Sequence, residues 1–133
     1  MIIHCIWEHN GDDSLLYAVE PIGAYARGEN LDTALKKMPG EVASYYKWRG
    51  QAVPGCLKIS VAGKKASTLT IRDADSDVLL PSEIPLLTAD EYEMLKALAL
   101  DSARDFLALY ESIPDKDAAA APPRQTFYGP VPR

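Results

Sequence analysis

The segment from Gly23 to Leu35 constrains the fold more than any other stretch of this 133-residue chain. Its pattern changes from strand to helix at Gly28, a residue that suits a backbone needing a positive φ angle. Asn30 can accept a hydrogen bond from an N–H group of the first helical turn, and Asp32 favours the positive end of a helix. The segment therefore predicts a short strand that leads directly into a helix.

Strand patterns also precede this segment. Residues 1–9 carry apolar side chains on both faces of an alternating pattern, which predicts a central strand. Asn10 to Asp13 is a turn signal, so Leu15 to Val19 is expected to form the antiparallel partner. A third short strand is expected around Ala24 to Ala26.

The helical pattern that follows contains one proline. Leu31, Ala34, Leu35 and Met38 have the spacing of a single buried stripe. Pro39 disfavours helical geometry at the residue before it but suits a first helical position. We therefore predict a break at Pro39 and a second helical stretch that ends near Gly50.

A second hairpin is predicted after the helix. Apolar residues alternate over 57–61 and again over 69–71, and the sequence Gly63-Lys64-Lys65 lies between them as a turn signal. The order of elements predicts an α+β fold, a small antiparallel sheet in β-β-β-α-β-like order with helices on one face. A long C-terminal helix is expected to follow it.

That long helix is predicted from Ala89 to Ile113. Thr88 and Glu91 have the form of a capping box at its start. Its apolar stripe is wider than one small sheet requires, and a wide exposed stripe is typical of an interface. We therefore expect a homo-oligomer, with an interface that includes Tyr92, Leu95, Leu98, Phe106 and Tyr110.

The patterns divide the chain into three parts. Residues 1–80 form the predicted α+β domain, and residues 81–113 form a linker and the long helix. Residues 114–133 are rich in proline and alanine without periodicity, which predicts a flexible tail.

Composition limits the classes of partner. The net charge of −5 argues against an extended nucleic-acid surface and suits a small basic protein as partner. Two cysteines and the lack of a basic-then-apolar leader predict a cytoplasmic chain with reduced thiols. No apolar run is long enough to span a membrane.

The polar residues identify no reaction. His4, Cys5 and His9 have no metal-ligand spacing, and nucleotide, hydrolase and zincin motifs are absent. Asp73, Asp75 and Asp77 are similar to the start of a calcium loop, but that loop's glycine and bidentate glutamate are missing, which favours a solvated acidic turn. We expect no cofactor, no metal and no catalysis by this chain.

An aromatic and basic cluster near the end of the predicted helical region allows two interpretations. Tyr45 and Trp48 are expected in the core, with Tyr46 and Arg49 on the surface. Alternatively the cluster stacks on a ligand. Tyr46 and Arg49 are therefore the candidate partner-binding residues.

The strand-to-helix segment resembles the signature of HicB-type antitoxins, roughly G-C-x-T-x-G-D-T-x-E-E-A. The spacing of the two glycines agrees, and an acidic residue directly follows the second. The resemblance covers the first half of the chain and implies a β-β-β-α-β domain that binds a small basic toxin. The matching residues are Gly23, Gly28, Glu29, Leu31, Ala34 and Leu35.

The second half, from Leu87 through the long helix to Pro130, looks like the first helix of a DinB-like helical bundle. Such bundles hold a metal on histidines located further along their chains. This resemblance implies an alternative function, in which the chain is the N-terminal regulatory part of a larger metal-dependent enzyme. The first function expected is a non-catalytic binding domain that self-associates through the long helix.

Overall fold

The computed structural model describes residues 1–11, 13–71, 76–80 and 83–116, and the backbone of residues 119–120 and 131–132. The chain divides into two compact units, Met1–Leu80 and Pro81–Arg133. Its elements are β1 (Ile2–His9), β2 (Ser14–Ala18), β3 (Tyr25–Gly28), α1 (Leu31–Trp48), β4 (Lys58–Ala66), α2 (Ala89–Ser112), β5 (Ala119–Ala120) and β6 (Val131–Pro132). The predicted α+β class and the long C-terminal helix are confirmed.

The first unit contains a four-stranded sheet in the order β3-β2-β1-β4. β1 pairs antiparallel with β2, and β2 pairs antiparallel with β3. β1 is therefore internal, as its two apolar faces predict. β4 pairs parallel with β1, so the sheet is mixed rather than antiparallel as expected. α1 supplies the crossover that a parallel pair requires.

The predicted second hairpin was wrong. β4 continues from Lys58 to Ala66, straight through the expected turn, and remains paired with β1. A register shift places Val61 opposite Cys5 and Gly63 opposite Ile6. A Cβ atom at Gly63 would lie 3.0 Å from the Cδ1 atom of Ile6. The glycine therefore serves close packing at a bulge rather than a turn.

The core lies between the sheet and α1, which continues through Pro39 instead of breaking there. An internal proline costs a helix about 3 kcal/mol. Burying Met38 and Val42 stabilises it by roughly 1.5–3 kcal/mol each, which outweighs that cost. The fully buried residues of this core are Ile3, Cys5, Leu16, Ala18, Ala24, Ala26, Ala34, Met38 and Val42.

The junction between β3 and α1 follows the predicted strand-to-helix change. The Oδ1 atom of Asn30 accepts a hydrogen bond from the Thr33 N–H at 2.9 Å, which confirms the cap. Gly28, however, lies outside the positive-φ glycines. A Cβ atom there would lie 2.7 Å from the backbone nitrogen of Ala34. Gly28 is thus required by the close approach of the strand end to the helix, and not by its φ angle.

The second unit contains α2, and the predicted capping box is confirmed. The Thr88 N–H donates to the Glu91 carboxylate at 2.8 Å, and the Glu91 N–H donates to the Thr88 hydroxyl at 3.3 Å. The Thr88 hydroxyl also donates to the Glu91 carboxylate at 2.7 Å, and this bond, followed by the one from the Thr88 N–H, lowers the pKa of Glu91. No residue of α2 is buried. Within the described ranges, no helix is long and apolar enough to cross a membrane.

Little of the predicted flexible tail is described. Residues 117–118, 121–130 and 133 lie outside the described residues. The tail was expected to lack regular structure, but the backbones of β5 and β6 pair antiparallel.

Candidate functional site

Among the described residues, the strand β3 forms one edge of the sheet, because the order β3-β2-β1-β4 places β2 alone beside it. The Ala24 carbonyl accepts a bond from the Ala18 N–H at 2.9 Å, so Ala24 directs its carbonyl toward β2. Backbone groups alternate in direction along a strand. Tyr25 and Arg27 therefore direct their N–H and C=O groups away from β2. Consistent with this, the Arg27 carbonyl accepts a bond from the Lys37 ammonium at 2.8 Å.

An open groove of about 480 Å³ runs between this edge and α1. The strand side of the groove consists largely of backbone and small residues, and the helix side supplies the longer polar and aromatic side chains. The lining residues are Gly23, Ala24, Tyr25, Ala26, Arg27, Lys37, Glu41, Ser44, Tyr45 and Trp48.

Two aromatic rings form one end of the groove. Tyr45 and Trp48 pack edge to face, with centroids 5.4 Å apart, and the Arg49 guanidinium lies 5.5 Å from the centroid of the Trp48 ring. Gly23 has φ +103°, and a Cβ atom there would lie 3.1 Å from the Tyr45 ring. The glycine therefore lets the loop before β3 lie against this ring.

The groove combines both signs of charge. Lys37 contributes a cation, and Glu41 contributes a carboxylate one helical turn later. Arg27 contributes its backbone, because its side chain alternates with Ala26 and lies on the other face of the sheet, near Tyr17. The described lining residues include no histidine and no cysteine, so no nucleophile paired with an imidazole base lines this groove. The groove therefore brings together a strand edge, two aromatic rings and charges of both signs.

A second polar cluster lies on the sheet face opposite α1. Glu8 is fully buried. Its carboxylate accepts hydrogen bonds from the Ser76 hydroxyl at 2.8 Å, the Tyr17 hydroxyl at 3.2 Å and the Asp77 N–H at 3.3 Å. Burial is the largest cause of a raised pKa at Tyr17. The hydrogen bond with Ser76 acts in the opposite direction, and the charge of Glu8 adds to the rise.

This buried carboxylate attaches the segment that follows β4 to the sheet. Ser67 donates its N–H to the His9 carbonyl at 2.8 Å, and the buried Ile71 and Leu80 belong to the same segment. Lys65, expected in a turn, forms a 2.9 Å ion pair with Asp77 instead. The hydrogen bonds to Glu8 come from Tyr17 of the sheet and from Ser76 and Asp77 of the segment, so the cluster holds the segment against the sheet.

The predicted partner-binding residues are separated from the groove. Tyr46 packs against the core, and its hydroxyl lies 3.9 Å from the Met1 sulfur. Trp48, expected in the core, is 39% exposed. Arg49 does not line the groove, but it contacts Trp48, which does. The prediction that Trp48 is in the core and Tyr46 on the surface was therefore wrong. The spacing of apolar residues does not fix the orientation of the last turn of α1.

The predicted interface residues of α2 are exposed or half-buried. Phe106 is 70% exposed, Tyr92 54% and Tyr110 41%. Leu95 and Leu98 are half-buried. The stripe is therefore available on the helix surface.

Metal and thiol chemistry has no identified centre in the described part of the chain. There, no three His, Cys, Asp or Glu residues cluster as metal ligands would. Asp73 and Asp75 of the predicted acidic turn lie outside the described residues. Burial raises the pKa of Cys5 to about 11, so this thiol stays protonated at neutral pH, while Cys56 is exposed.

Comparison with known proteins gives no relative. No family model, curated protein or solved structure matches this chain. The HicB-like and DinB-like resemblances stay predictions. Sequence reasoning missed Arg27, Lys37 and Glu41 as site residues, because only the strand order identifies β3 as an edge.

Proposed function

We propose that the Met1–Leu80 unit is a non-catalytic binding module that takes an extended segment of a protein partner as an added strand beside β3. The observation that carries this proposal is the outward direction of the Tyr25 and Arg27 backbone groups, next to a groove. Edge strands commonly bind peptides in this way, with backbone bonds for affinity and side-chain pockets for specificity.

Side chains of the added strand would alternate in direction, so every second one would point toward α1. Those side chains would contact Tyr45 and Trp48, which favours apolar residues there. Lys37 and Glu41 on the helix side carry opposite charges, so the groove has no excess of either sign. The groove therefore suits an extended segment of the partner with apolar residues at the positions that face α1.

A basic region of the partner would be attracted to other parts of the chain. Residues 1–80 contain nine Lys and Arg against ten Asp and Glu, whereas residues 81–133 contain five against nine. The net charges are thus −1 and −4. Most of the negative charge that attracts a small basic protein belongs to the second unit.

Lys37 protects the edge of the sheet. Its ammonium donates a hydrogen bond to the Arg27 carbonyl, which is also the acceptor that an N–H group of a partner strand would use. Lysines of this kind protect exposed edges from indiscriminate pairing. Its bond is exposed, and such a bond contributes only about 1 kcal/mol. A partner that makes several backbone bonds can therefore displace it.

The test uses peptides selected from a random display library on the full chain. Tyr25→Pro removes an outward N–H while leaving the β2 ladder intact, and Tyr25→Ala keeps that N–H as the matched control. We expect Tyr25→Pro to weaken binding by at least about tenfold, equal to about 1.4 kcal/mol, and Tyr25→Ala to weaken it far less. Lys37→Met should strengthen binding about fivefold, because it removes the ammonium that competes with the peptide for the Arg27 carbonyl.

Backbone amide exchange locates the bound peptide. Binding should slow exchange at Tyr25 and Arg27. Selected peptides that bind Tyr25→Pro and the unchanged chain equally, or that slow exchange only along α2, would overturn the groove as the binding site.

We also propose that the chain self-associates through α2, in agreement with its exposed apolar stripe. Phe106→Asp should shift sedimentation toward the monomer, whereas Glu93→Gln on the opposite side of α2 should not. A folded monomer at millimolar concentration for the unchanged chain would exclude this contact.

A further inference from the structure

The stripe of α2 has an internal size pattern. Positions 92, 95, 99, 102, 106 and 109 follow the alternating three- and four-residue spacing of a heptad seam. Large side chains occupy both ends of this seam, and the small residues Ala99 and Ser102 occupy its centre. The opposite side of the helix mixes charged and apolar residues: Glu93, Asp101 and Arg104 lie there with the exposed Leu100, and the ion pairs are Lys96–Glu93 and Arg104–Asp101.

This pattern is self-complementary when two copies of α2 run antiparallel. The helix spans Ala89–Ser112, so its midpoint falls between Leu100 and Asp101. Two helices that overlap over their full length share a two-fold axis at this midpoint. Equivalent levels then pair Tyr92 with Leu109 of the second copy, Leu95 with its Phe106, and Ala99 with its Ser102.

The layers formed in this way are physically reasonable. Ala99 and Ser102 allow the two backbones to approach closely at the centre, where small side chains meet. The rings of Tyr92 and Phe106 each face a leucine toward the ends. Seam positions of antiparallel helices meet in this alternate fashion, so no ring is placed against its own copy.

Charge selects the antiparallel orientation over the parallel one. Asp90, Glu91 and Glu93 lie in the first turns of α2, and its last turn carries the carboxylate Glu111 and no basic residue. A parallel pair would bring six carboxylates together at one end. An antiparallel pair places these three carboxylates beside a single Glu111 at each end and separates the two groups of three by most of the ~36 Å helix length. This distance is well beyond the Debye length of about 8 Å. The two helix dipoles also point in opposite directions, which is the favourable arrangement.

The exposed rings of α2 supply about half of the area that a stable pair requires. With about 200 Å² for each aromatic side chain, the exposed fractions of Tyr92, Phe106 and Tyr110 amount to roughly 300 Å² per copy. Two copies then contribute about 600 Å² from rings alone, half of the ~1,200 Å² at the lower limit of stable interfaces. Leu109, which is 63% exposed, and the other seam residues add to this area.

We infer that the partner of the α2 stripe is a second copy of this chain, packed antiparallel about an axis between Leu100 and Asp101. The inference rests on the proposed self-association and adds its orientation and register. The contact is isologous, since the same residues contribute from both copies.

Disulfide trapping in the full chain tests the register. Exposed Cys56 is first changed to serine, and Leu95→Cys and Phe106→Cys chains are prepared separately and mixed. In the proposed pair these two cysteines share a layer. Each lies about 16 Å along the axis from its own copy, too far for a bond. Mass spectrometry distinguishes the products, because the two variants differ in mass.

We expect the mixed disulfide to exceed both homodisulfides by at least about tenfold, given the narrow distance range of disulfides. Tyr92→Cys mixed with Leu109→Cys gives an independent second pair, and Glu93→Cys on the opposite side of α2 is the control. Homodisulfides in excess would overturn the antiparallel orientation. A dimer in sedimentation that forms no seam disulfide from either pair would overturn the register while leaving self-association intact, and a monomer would overturn both.

Discussion

Replacing the buried Glu8 should detach the segment after β4 from the sheet. Glu8→Gln is nearly isosteric, but it replaces one acceptor oxygen with an NH2 donor. The Glu8 Oε2 atom accepts from both hydroxyls, and its Oε1 atom accepts from the Asp77 N–H. If the amide oxygen retains the hydroxyls of Tyr17 and Ser76, the NH2 group must face the Asp77 N–H.

The size of the effect follows from these three bonds. One buried donor without an acceptor costs about 1–3 kcal/mol, and two bonds to a charged acceptor become neutral at about 1 kcal/mol each. The lower desolvation cost of an amide offsets part of this loss. We expect the free energy of unfolding to fall by about 2 kcal/mol, which lowers the melting temperature of a unit of this size by roughly 10 °C.

Urea unfolding of the full chain measures this change. Glu29→Gln, at an exposed position, is the matched control and should stay within about 0.5 kcal/mol of the unchanged chain. Tyr17→Phe combined with Glu8→Gln should destabilise less than the sum of the two single changes, because both remove the same bond. Native-state exchange should rise first at Asp77 and Val78.

The reasoning would be refuted if Glu8→Gln left both the unfolding free energy and the exchange of residues 76–80 unchanged. The carboxylate would then be replaceable by any group of its shape, and the segment would be held by Ile71 and Leu80 alone.

Gly28→Ala should destabilise the first unit by about 1–3 kcal/mol in thermal or urea unfolding, because its Cβ atom would meet backbone atoms; stability within about 0.5 kcal/mol of the unchanged chain would refute the close approach. Under native conditions a thiol reagent should label Cys56 and leave Cys5, whose pKa is raised to about 11; rapid labelling of Cys5 would show that it is accessible. The hydrogen bond from Lys65 lowers the pKa of Asp77 below 3.8, so the stability from this contact is present above pH 3.8 and is lost as pH falls through the lowered pKa. Lys65→Met should raise the pKa of Asp77 toward 3.8 in an NMR titration, and an unchanged pKa would exclude the pair.

Features set by short stretches of chain could be predicted from the sequence. Asn30 caps α1 through the Thr33 N–H, and Thr88 with Glu91 caps α2, because each cap involves residues three positions apart. The internal position of β1 also follows from its own two apolar faces.

Features set by distant contacts could not be predicted. Gly63 and the lysines after it look like a turn until β1 is present to pair with them. Pro39 breaks an isolated helix, but the buried Met38 beside it holds the helix together. At Gly28 the residue type was predicted for the wrong reason, since the constraint is contact with α1 rather than a φ angle.

The groove is also set by distant contacts. Arg27 and Lys37 are ten residues apart and become a site only when β3 is the outer strand and α1 lies beside it. Strand order is a property of the whole unit, so no local pattern identifies these residues.

The position of β1 between a near and a distant strand has a kinetic consequence. β2 begins a few residues after β1, whereas β4 can join only after α1 has crossed over the sheet. Loop closure makes the distant pairing slower than the near one. On a ribosome, β1, β2 and β3 can therefore pair before β4 has emerged, leaving the β4 side of β1 open for that interval. During synthesis β1 therefore passes through a state in which it is an edge strand, although it is internal in the finished sheet.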